Sequence, residues 1–226
     1  MKSENKVSFI LNLCILILTL FSIISMMAGF NFMDDTSWEF SAANFAAFRY
    51  FTVDSNVLAG IIALVYLVYI MRNKQTISIP KWLTLLKLAA TTGVTLTMMV
   101  TVCFLAPTSS RGYFALFKNS NLFLHFVIPV LCIVSFIFFE RPTVKISFPL
   151  TLTGIIPMFV YSVYYTANIL IHLGNGQPLS KYDWYGFLGG KLSNIWFVMP
   201  AIYLLTWIFS IVLWLCNKKI NLKKIA

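Results

Sequence analysis

The residues best suited to chemistry in this sequence are polar side chains inside apolar segments. The stretch "AFRYFTVDSN" at 47–56 places Thr52 and Asn56 near the start of an apolar run, and a later run carries Asn121 and His125. A hydroxyl and an imidazole can exchange a proton, and amides can orient a polar group. Because polar groups are costly within a membrane, they usually line a site or a pathway. We therefore expect a functional site where these residues meet.

The composition indicates a membrane protein. Of the 226 residues, 59% are hydrophobic and 11% are charged, and 21 are phenylalanine. A soluble domain carries roughly 25% charged residues. The four cysteines fall in apolar runs and form no CxxC pair, so the sequence indicates neither a disulfide framework nor a zinc site.

Six segments are long enough to cross a hydrocarbon core of about 30 Å as helices. The first is interpreted as a retained helix, because its apolar run is too long for a signal peptide. The sequence thus predicts an all-α, polytopic membrane protein in which residues 1–226 form a single six-helix transmembrane domain. The helices are predicted near residues 7–30, 45–71, 82–106, 120–139, 146–172 and 193–216.

The distribution of basic residues predicts the orientation. The two termini and the loops at 72–87 and 140–145 hold 12 of the 17 Lys and Arg residues. The positive-inside rule then places both termini in the cytoplasm, as expected for a multi-pass protein of the cell membrane. The net charge of +10 favours anionic membrane lipids as partners. Nucleic acid is not an expected partner, because no basic stripe with interleaved aromatic residues lies outside the membrane.

Four predicted helices bring polar side chains to the outer half of the bundle. Arg49, Thr52 and Asn56 have the spacing i, i+3, i+7, which places them on one face of the second helix, with Ser55 at its edge and Asp54 pointing elsewhere. The inner halves are mostly Leu, Ile, Val and Phe, so we expect an outer cavity with polar walls and an apolar floor. Other candidate site residues are Asn121 and His125 in the fourth helix, Tyr161, Tyr165, Asn168 and His172 in the fifth, and Trp184 beyond it. The sixth helix begins in the same half with Lys191, Ser193 and Asn194.

Prolines interrupt three of these helices. Pro129, Pro157 and Pro200 lack an N–H, so the carbonyl four residues earlier loses its helical partner. For Pro129 that carbonyl belongs to His125. Broken helices at membrane depth are tolerated where they border a cavity or find other donors.

Three segments resemble those of a known family. "FRYFTVDSN", "NLFLHFVIPVL" and "YDWYGF" are similar in order and spacing to the androgen-induced-protein family, and the similarity extends over all six helices. The chain resembles the bacterial members of this family. The resemblance implies an integral-membrane hydrolase of fatty acid esters of hydroxy fatty acids. It also implies a threonine nucleophile and a histidine, which by motif are Thr52 and His125. Gly186 stands where bacterial relatives tend to have proline, a departure that concerns the contacts of this loop.

The chemistry of the two residues agrees with this assignment. A threonine hydroxyl is a weak nucleophile that needs a nearby base, and a neutral imidazole can take its proton. Asn121 is a candidate to orient His125, and oxyanion donors are expected from Asn56, Tyr161 or Asn168. No cofactor is expected, and the expected partner is a lipid ester that enters sideways from the bilayer.

Other interpretations fit parts of the pattern. A small-molecule transporter or a lipid-binding protein could use the same cavity, although the inner half lacks charges and no internal repeat is evident. A zinc hydrolase would need His125, His172 and Asp54 to meet at one ion. A structural role is also open, since Thr52 could bond a helical carbonyl and Asn121 could cap a helix.

Overall fold

Six helices long and apolar enough to span a membrane make up the fold, as a computed structural model describes it for residues 3–33, 44–73 and 78–223. These ranges contain no β-strand, which confirms the all-α polytopic class. Residues 34–43, most of the predicted first outer loop, lie outside the described residues. The helices are α1 (Ser3–Ala28), α2 (Phe51–Arg72), α3 (Lys81–Thr108), α4 (Ser120–Phe139), α5 (Phe148–Gly174) and α6 (Ile195–Lys223).

Helix α3 is the centre of the bundle. It contacts α2, α4, α5 and α6, while α1 packs against α2 and α4. Small residues allow these close contacts, as they commonly do between membrane helices. Gly154 of α5 is one example, because a Cβ at this position would lie 2.3 Å from Ser210 Oγ of α6 and 2.9 Å from Thr92 Oγ1 of α3.

Helix α3 also contains buried polar residues, although the sequence predicted polar side chains only in other helices. Most of its buried residues are apolar or threonine. Several of these hydroxyls are satisfied by the helix itself: Thr95 donates to the Thr91 carbonyl at 2.7 Å and Thr97 to the Val94 carbonyl at 2.9 Å. A buried threonine bonded in this way has no polar group left unpaired.

The two ends of the bundle are closed by different loops. The end that carries both termini is called the terminal end. There the Ile79 N–H donates to the Arg141 carbonyl at 2.7 Å, and this bond joins the α2–α3 and α4–α5 loops. At the opposite end, here the site end, the α5–α6 loop contacts the start of α2. That contact is a 2.7 Å bond from Phe51 N–H to the Tyr185 hydroxyl.

The start of α2 differs from the prediction. Asn44–Arg49 is a 3-10 helix, Tyr50 is extended (φ −99°, ψ 130°), and the α-helix begins at Phe51. Arg49 therefore does not share the α2 face of Thr52, and its Nε donates to a carbonyl of its own turn at 3.0 Å. The i, i+3, i+7 prediction is wrong for Arg49 because helical spacing applies only within the helix.

The terminal half of the bundle is charged inside, contrary to the expectation of an apolar inner half. Lys87 Nζ lies 2.9 Å from Glu140 Oε1, and the two side chains are 3% and 0% exposed. Asn12 accepts from Lys87 at 2.7 Å and donates to Glu140 at 3.2 Å, and Ser135 donates to Glu140 at 2.7 Å. The prediction that Lys87 belongs to the basic loop is also wrong, because α3 begins at Lys81. A buried cation needs such a paired anion.

Single cysteines in a cysteine-free variant can check the predicted orientation. Ser110 and Ser180 are exposed at the site end, and Asn73 is exposed at the terminal end. In intact cells, we expect an impermeant maleimide to label Ser110→Cys and Ser180→Cys, and to label Asn73→Cys only after the cells are opened. The reverse pattern would place both termini outside.

Candidate functional site

Thr52 and His125 line one cavity at the site end of the bundle. It has a volume of about 70 Å³, lies among α1 to α4, and also has Asn121 and Tyr185 in its walls. The other lining residues are mostly apolar, Leu124 among them. The cavity therefore brings a hydroxyl, an imidazole, an amide and a phenol together in an apolar setting.

Thr52 also borders a second cavity, of about 80 Å³, among α2, α3, α5 and α6. Its side chain is half-buried, and its hydroxyl makes no hydrogen bond with any residue in the described ranges. Some other helical threonines bond a carbonyl of the preceding turn, as Thr95 and Thr206 do at 2.7 Å, whereas the buried hydroxyls of Thr19 and Thr92 have no partner among the described residues. The Thr52 hydroxyl thus remains available to a ligand between the two cavities.

His125 is held by a residue that the sequence analysis missed. Its Nδ1 lies 2.8 Å from Thr101 Oγ1 of α3. If Nδ1–H donates to this hydroxyl, Nε2 is left as the acceptor nitrogen of the neutral ring. This partner is Thr101 rather than the predicted Asn121. A threonine in an apolar helix is usually bonded to its own backbone, so no sequence signal marked it.

Both members of this pair lie in wide helical turns. Thr101 begins the π-helical turn Thr101–Leu105, and His125 is the middle residue of the π-helical turn Phe123–Val127. The second turn directly precedes the segment with Pro129, which deprives the His125 carbonyl of its usual partner. Single π turns inside α-helices are frequent at functional sites.

Asn121 does not cap α4. The residue before the first turn is Asn119, which makes no side-chain capping bond. Asn121 is instead 5% exposed and lines the cavity of Thr52 and His125. The capping alternative for Asn121 is therefore wrong, and its amide is a wall of the candidate site.

Asn56 joins the two helices that carry Thr52 and His125. It is fully buried, and its Nδ2 donates to the Thr52 carbonyl at 2.7 Å and to the Leu124 carbonyl at 3.0 Å. Ser55 Oγ donates to the Thr52 carbonyl as well, at 3.1 Å. With both amide hydrogens used, Asn56 has no donor left for an oxyanion. Its role here is to fix the separation of α2 and α4.

An aromatic cluster supports the start of α2. The Tyr161 hydroxyl donates to the Arg49 carbonyl at 2.6 Å and accepts from Trp184 Nε1 at 3.0 Å. The Tyr165 hydroxyl donates to the Asp183 carboxylate. Of these tyrosines and Trp184, which were predicted to contact substrate, Tyr161 lines the second cavity and the other two line neither.

Tyr185 is a second site residue that the sequence analysis missed, although it lies in the segment "YDWYGF". Its side chain lines both cavities, and its hydroxyl accepts the Phe51 N–H. Burial raises the pKa of the Tyr185 phenol well above its usual range, so the group stays a neutral hydroxyl. The first N–H groups of a helix lack an intrahelical partner. Tyr185 satisfies one of them directly beside Thr52.

His172 and Asn168 of the predicted site, and Asp54 of the zinc alternative, also lie away from both cavities. His172 Nδ1 bonds the Asn168 carbonyl at 2.7 Å, and the ring stacks on Tyr182 with centroids 3.7 Å apart. Asp54 faces a separate, mostly apolar cavity of about 480 Å³ between α2, α3 and α5. The zinc site of His125, His172 and Asp54 is therefore not formed, and the described ranges contain no other group of three candidate ligands.

Comparison with known proteins assigns no family to the chain. No family model matches it, and neither the curated proteins nor the solved structures contain a match. What supports a function is therefore the geometry around Thr52 and His125, together with the segment resemblance.

Proposed function

We propose that this protein is an integral-membrane hydrolase of lipid esters, with Thr52 as nucleophile and His125 as general base. The observation that carries the proposal is their shared cavity, in which the Thr52 hydroxyl is unbonded among the described residues and His125 is held by Thr101. The resemblance of "FRYFTVDSN" and "NLFLHFVIPVL" to the androgen-induced-protein family supports the same pair. It also suggests fatty acid esters of hydroxy fatty acids as substrates.

The proposed reaction proceeds through an acyl-enzyme. His125 Nε2 takes the Thr52 proton as Oγ1 attacks the ester carbonyl, and the ring returns this proton to the departing alcohol. A water molecule, activated by the same nitrogen, then cleaves the acyl-threonine and releases the fatty acid. A Thr101 hydroxyl that accepts from Nδ1–H would keep Nε2 the acceptor. The Tyr185 hydroxyl, which also interacts with Tyr161, can turn its proton to the oxyanion.

The two cavities must widen to admit a lipid. They hold about 70 and 80 Å³, whereas sites for drug-sized ligands are roughly 300–1,000 Å³. Leu105 borders both cavities at the end of its π turn, so its movement would join them around Thr52. An ester carbonyl at Thr52 would then have one chain on each side of the residue.

Covalent labelling tests the proposed nucleophile directly. A lipid-like fluorophosphonate should modify the purified protein in detergent, and peptide mapping should locate the adduct on Thr52. Labelling and ester turnover should both survive a chelator, because the proposed step needs no metal ion. Loss of activity with a chelator, and its return with zinc, would instead favour a metal-dependent hydrolase.

Removing the Thr101 hydroxyl should weaken turnover through His125. A hydrogen bond contributes about 1 kcal/mol net, so Thr101→Val is expected to lower kcat about fivefold with little change in KM. Thr95→Val is the matched control, since Thr95 is a buried α3 threonine bonded to its own helix. Equal losses in both variants would mean that the effect comes from the packing of α3 rather than from His125.

Transport of a small solute is the second candidate function. The buried Lys87–Glu140 pair favours it, because ionisable residues inside membrane bundles often mark ion pathways. Hydrolysis assays in detergent and uptake assays in proteoliposomes separate the two functions. Ester hydrolysis that persists at full rate in detergent, where no gradient exists, supports the enzyme, whereas solute uptake without hydrolysis supports the transporter.

A further inference from the structure

A second polar pocket lies at the terminal end, far along the helices from Thr52. It has a volume of about 250 Å³ and is bounded by the α4–α5 loop and by α6. Its cationic lining residues are Arg141 and Lys145 from the loop and Lys218 from α6, and the described residues that line it include no acidic side chain. The pocket is therefore a concentration of positive charge.

The nearest carboxylate along the chain does not neutralise this charge. Glu140 precedes Arg141, but its side chain is fully buried and paired with Lys87 at 2.9 Å. Its carbonyl is used as well, since Asn217 Nδ2 donates to it at 2.9 Å. Lys145 is exposed, and Lys218 lies 4.7 Å from the centroid of the Trp214 ring. Both ammonium groups can turn toward an anion in the pocket.

Asn221 adds an observation that is independent of charge. It lines the pocket and is 7% exposed. Its Nδ2 donates to the Asn217 carbonyl at 2.9 Å and more weakly to the Glu140 carbonyl at 3.5 Å, which fixes the orientation of the amide. Its Oδ1 is then buried without a partner among the described residues. A buried acceptor of this kind normally meets a donor, such as a ligand hydroxyl.

The residues around the pocket are those expected at the level of lipid headgroups. Trp214 Nε1 donates to the Ile146 carbonyl at 2.9 Å, which holds an indole beside the pocket where α6 leaves the apolar region. Tryptophan is enriched at the membrane–water interface. Basic pockets between helices at this level bind anionic headgroups.

We infer that this pocket binds a phosphodiester that also carries a hydroxyl group, in the form of an anionic lipid with a glycerol-type headgroup. The phosphate lies against Lys145 and Lys218, and a headgroup hydroxyl donates to Asn221 Oδ1. This site is separate from the proposed hydrolytic site. Its test accordingly does not depend on ester turnover.

Lipid binding to the purified, delipidated full chain tests the chemistry of the ligand. Native mass spectrometry in detergent should show phosphatidylglycerol retained most strongly, phosphatidylmethanol less strongly and phosphatidylcholine least. Phosphatidylmethanol has the same phosphodiester charge without the hydroxyls, so equal retention of the two anionic lipids would overturn the role of Asn221. Displacement of phosphatidylglycerol by equimolar glycerol 3-phosphate would assign the pocket to a soluble phosphate ester and overturn the lipid proposal.

Charge-matched variants test the location. Lys145→Gln with Lys218→Gln should reduce phosphatidylglycerol binding about tenfold or more, because each cation near the surface contributes to headgroup attraction. Lys6→Gln with Lys219→Gln removes the same charge from exposed positions that do not line the pocket, and should change binding less than threefold. Lys145→Gln alone, at an exposed position, should give an intermediate loss with an unchanged melting temperature. Equal losses in the two double variants would mean that only the overall surface charge matters.

Discussion

Lipid-ester turnover by Thr52→Ala is expected to fall by about a thousandfold or more, while the protein still inserts and folds. The variant removes the proposed nucleophile, and general-base assistance alone is worth about 10²–10⁴. Thr52 is half-buried and makes no side-chain bond to a described residue, so its loss should cost little stability. The measurement is steady-state turnover by purified protein in detergent, with the melting temperature as the folding check.

Companion variants separate chemistry from binding. Thr52→Ser keeps the hydroxyl and should retain part of the activity, and Asn121→Ala should lose less than His125→Ala. Residues that act in one step are strongly non-additive, so Thr52→Ala with His125→Ala should be little worse than either alone. Ser55→Ala is a control on the same helix, since its hydroxyl bonds the backbone at 3.1 Å. Turnover near wild type in Thr52→Ala would leave His125 with an activated water as the hydrolytic mechanism.

Breaking the Lys87–Glu140 pair is expected to destabilise the bundle by about 3–5 kcal/mol, because the remaining buried charge loses its partner. Among the described residues, Lys87→Met leaves the Glu140 carboxylate with only the hydrogen bonds from Asn12 and Ser135. The free energy of unfolding can be measured by titration with SDS in mixed micelles. Lys81→Met is the control, since Lys81 is exposed at the start of α3.

The double variant distinguishes a pair that adds stability from a pair in which each charge only offsets the cost of burying the other. Replacing both partners with apolar residues removes both charges, and such replacements are often neutral for stability. Lys87→Met with Glu140→Leu should therefore recover most of the loss in Lys87→Met. A double variant as unstable as the single one would show that Glu140 matters through its other contacts, Asn12 and Ser135 among them.

The six helices could be predicted from the sequence because hydropathy alone sets them, and α4 was predicted at its observed bounds, 120–139. The approach of Thr52 to His125 could also be anticipated, since both lie near the site end of helices that run in the same direction. The start of α2 could not be predicted, because every residue from 45 to 51 is compatible with a helix. The break at Tyr50 depends instead on tertiary contacts made by the α5–α6 loop.

The missed residues share a physical cause. Thr101 and Tyr185 have residue types that are common in membrane helices and at interfaces, and only their partners, His125 and Phe51, reveal what they do. Lys87 follows a basic loop closely enough to count as part of it. Its burial depends on Glu140, which is distant in sequence. Pairings of this kind are set by helix packing, and no local pattern encodes them.

Because of the two π turns, the geometry of this site depends on the number of residues in α3 and α4. A π turn holds one residue more than the α-helical turn it replaces, so Thr101–Leu105 and Phe123–Val127 each amount to a one-residue insertion. Deleting one residue from either turn would leave a helix still long and apolar enough to span the membrane. It would also rotate one part of that helix by about 100° relative to the other, since each residue of an α-helix turns the chain by that angle. Such a deletion would barely alter the hydropathy profile, yet it would turn the Thr101 or His125 side chain away from its partner.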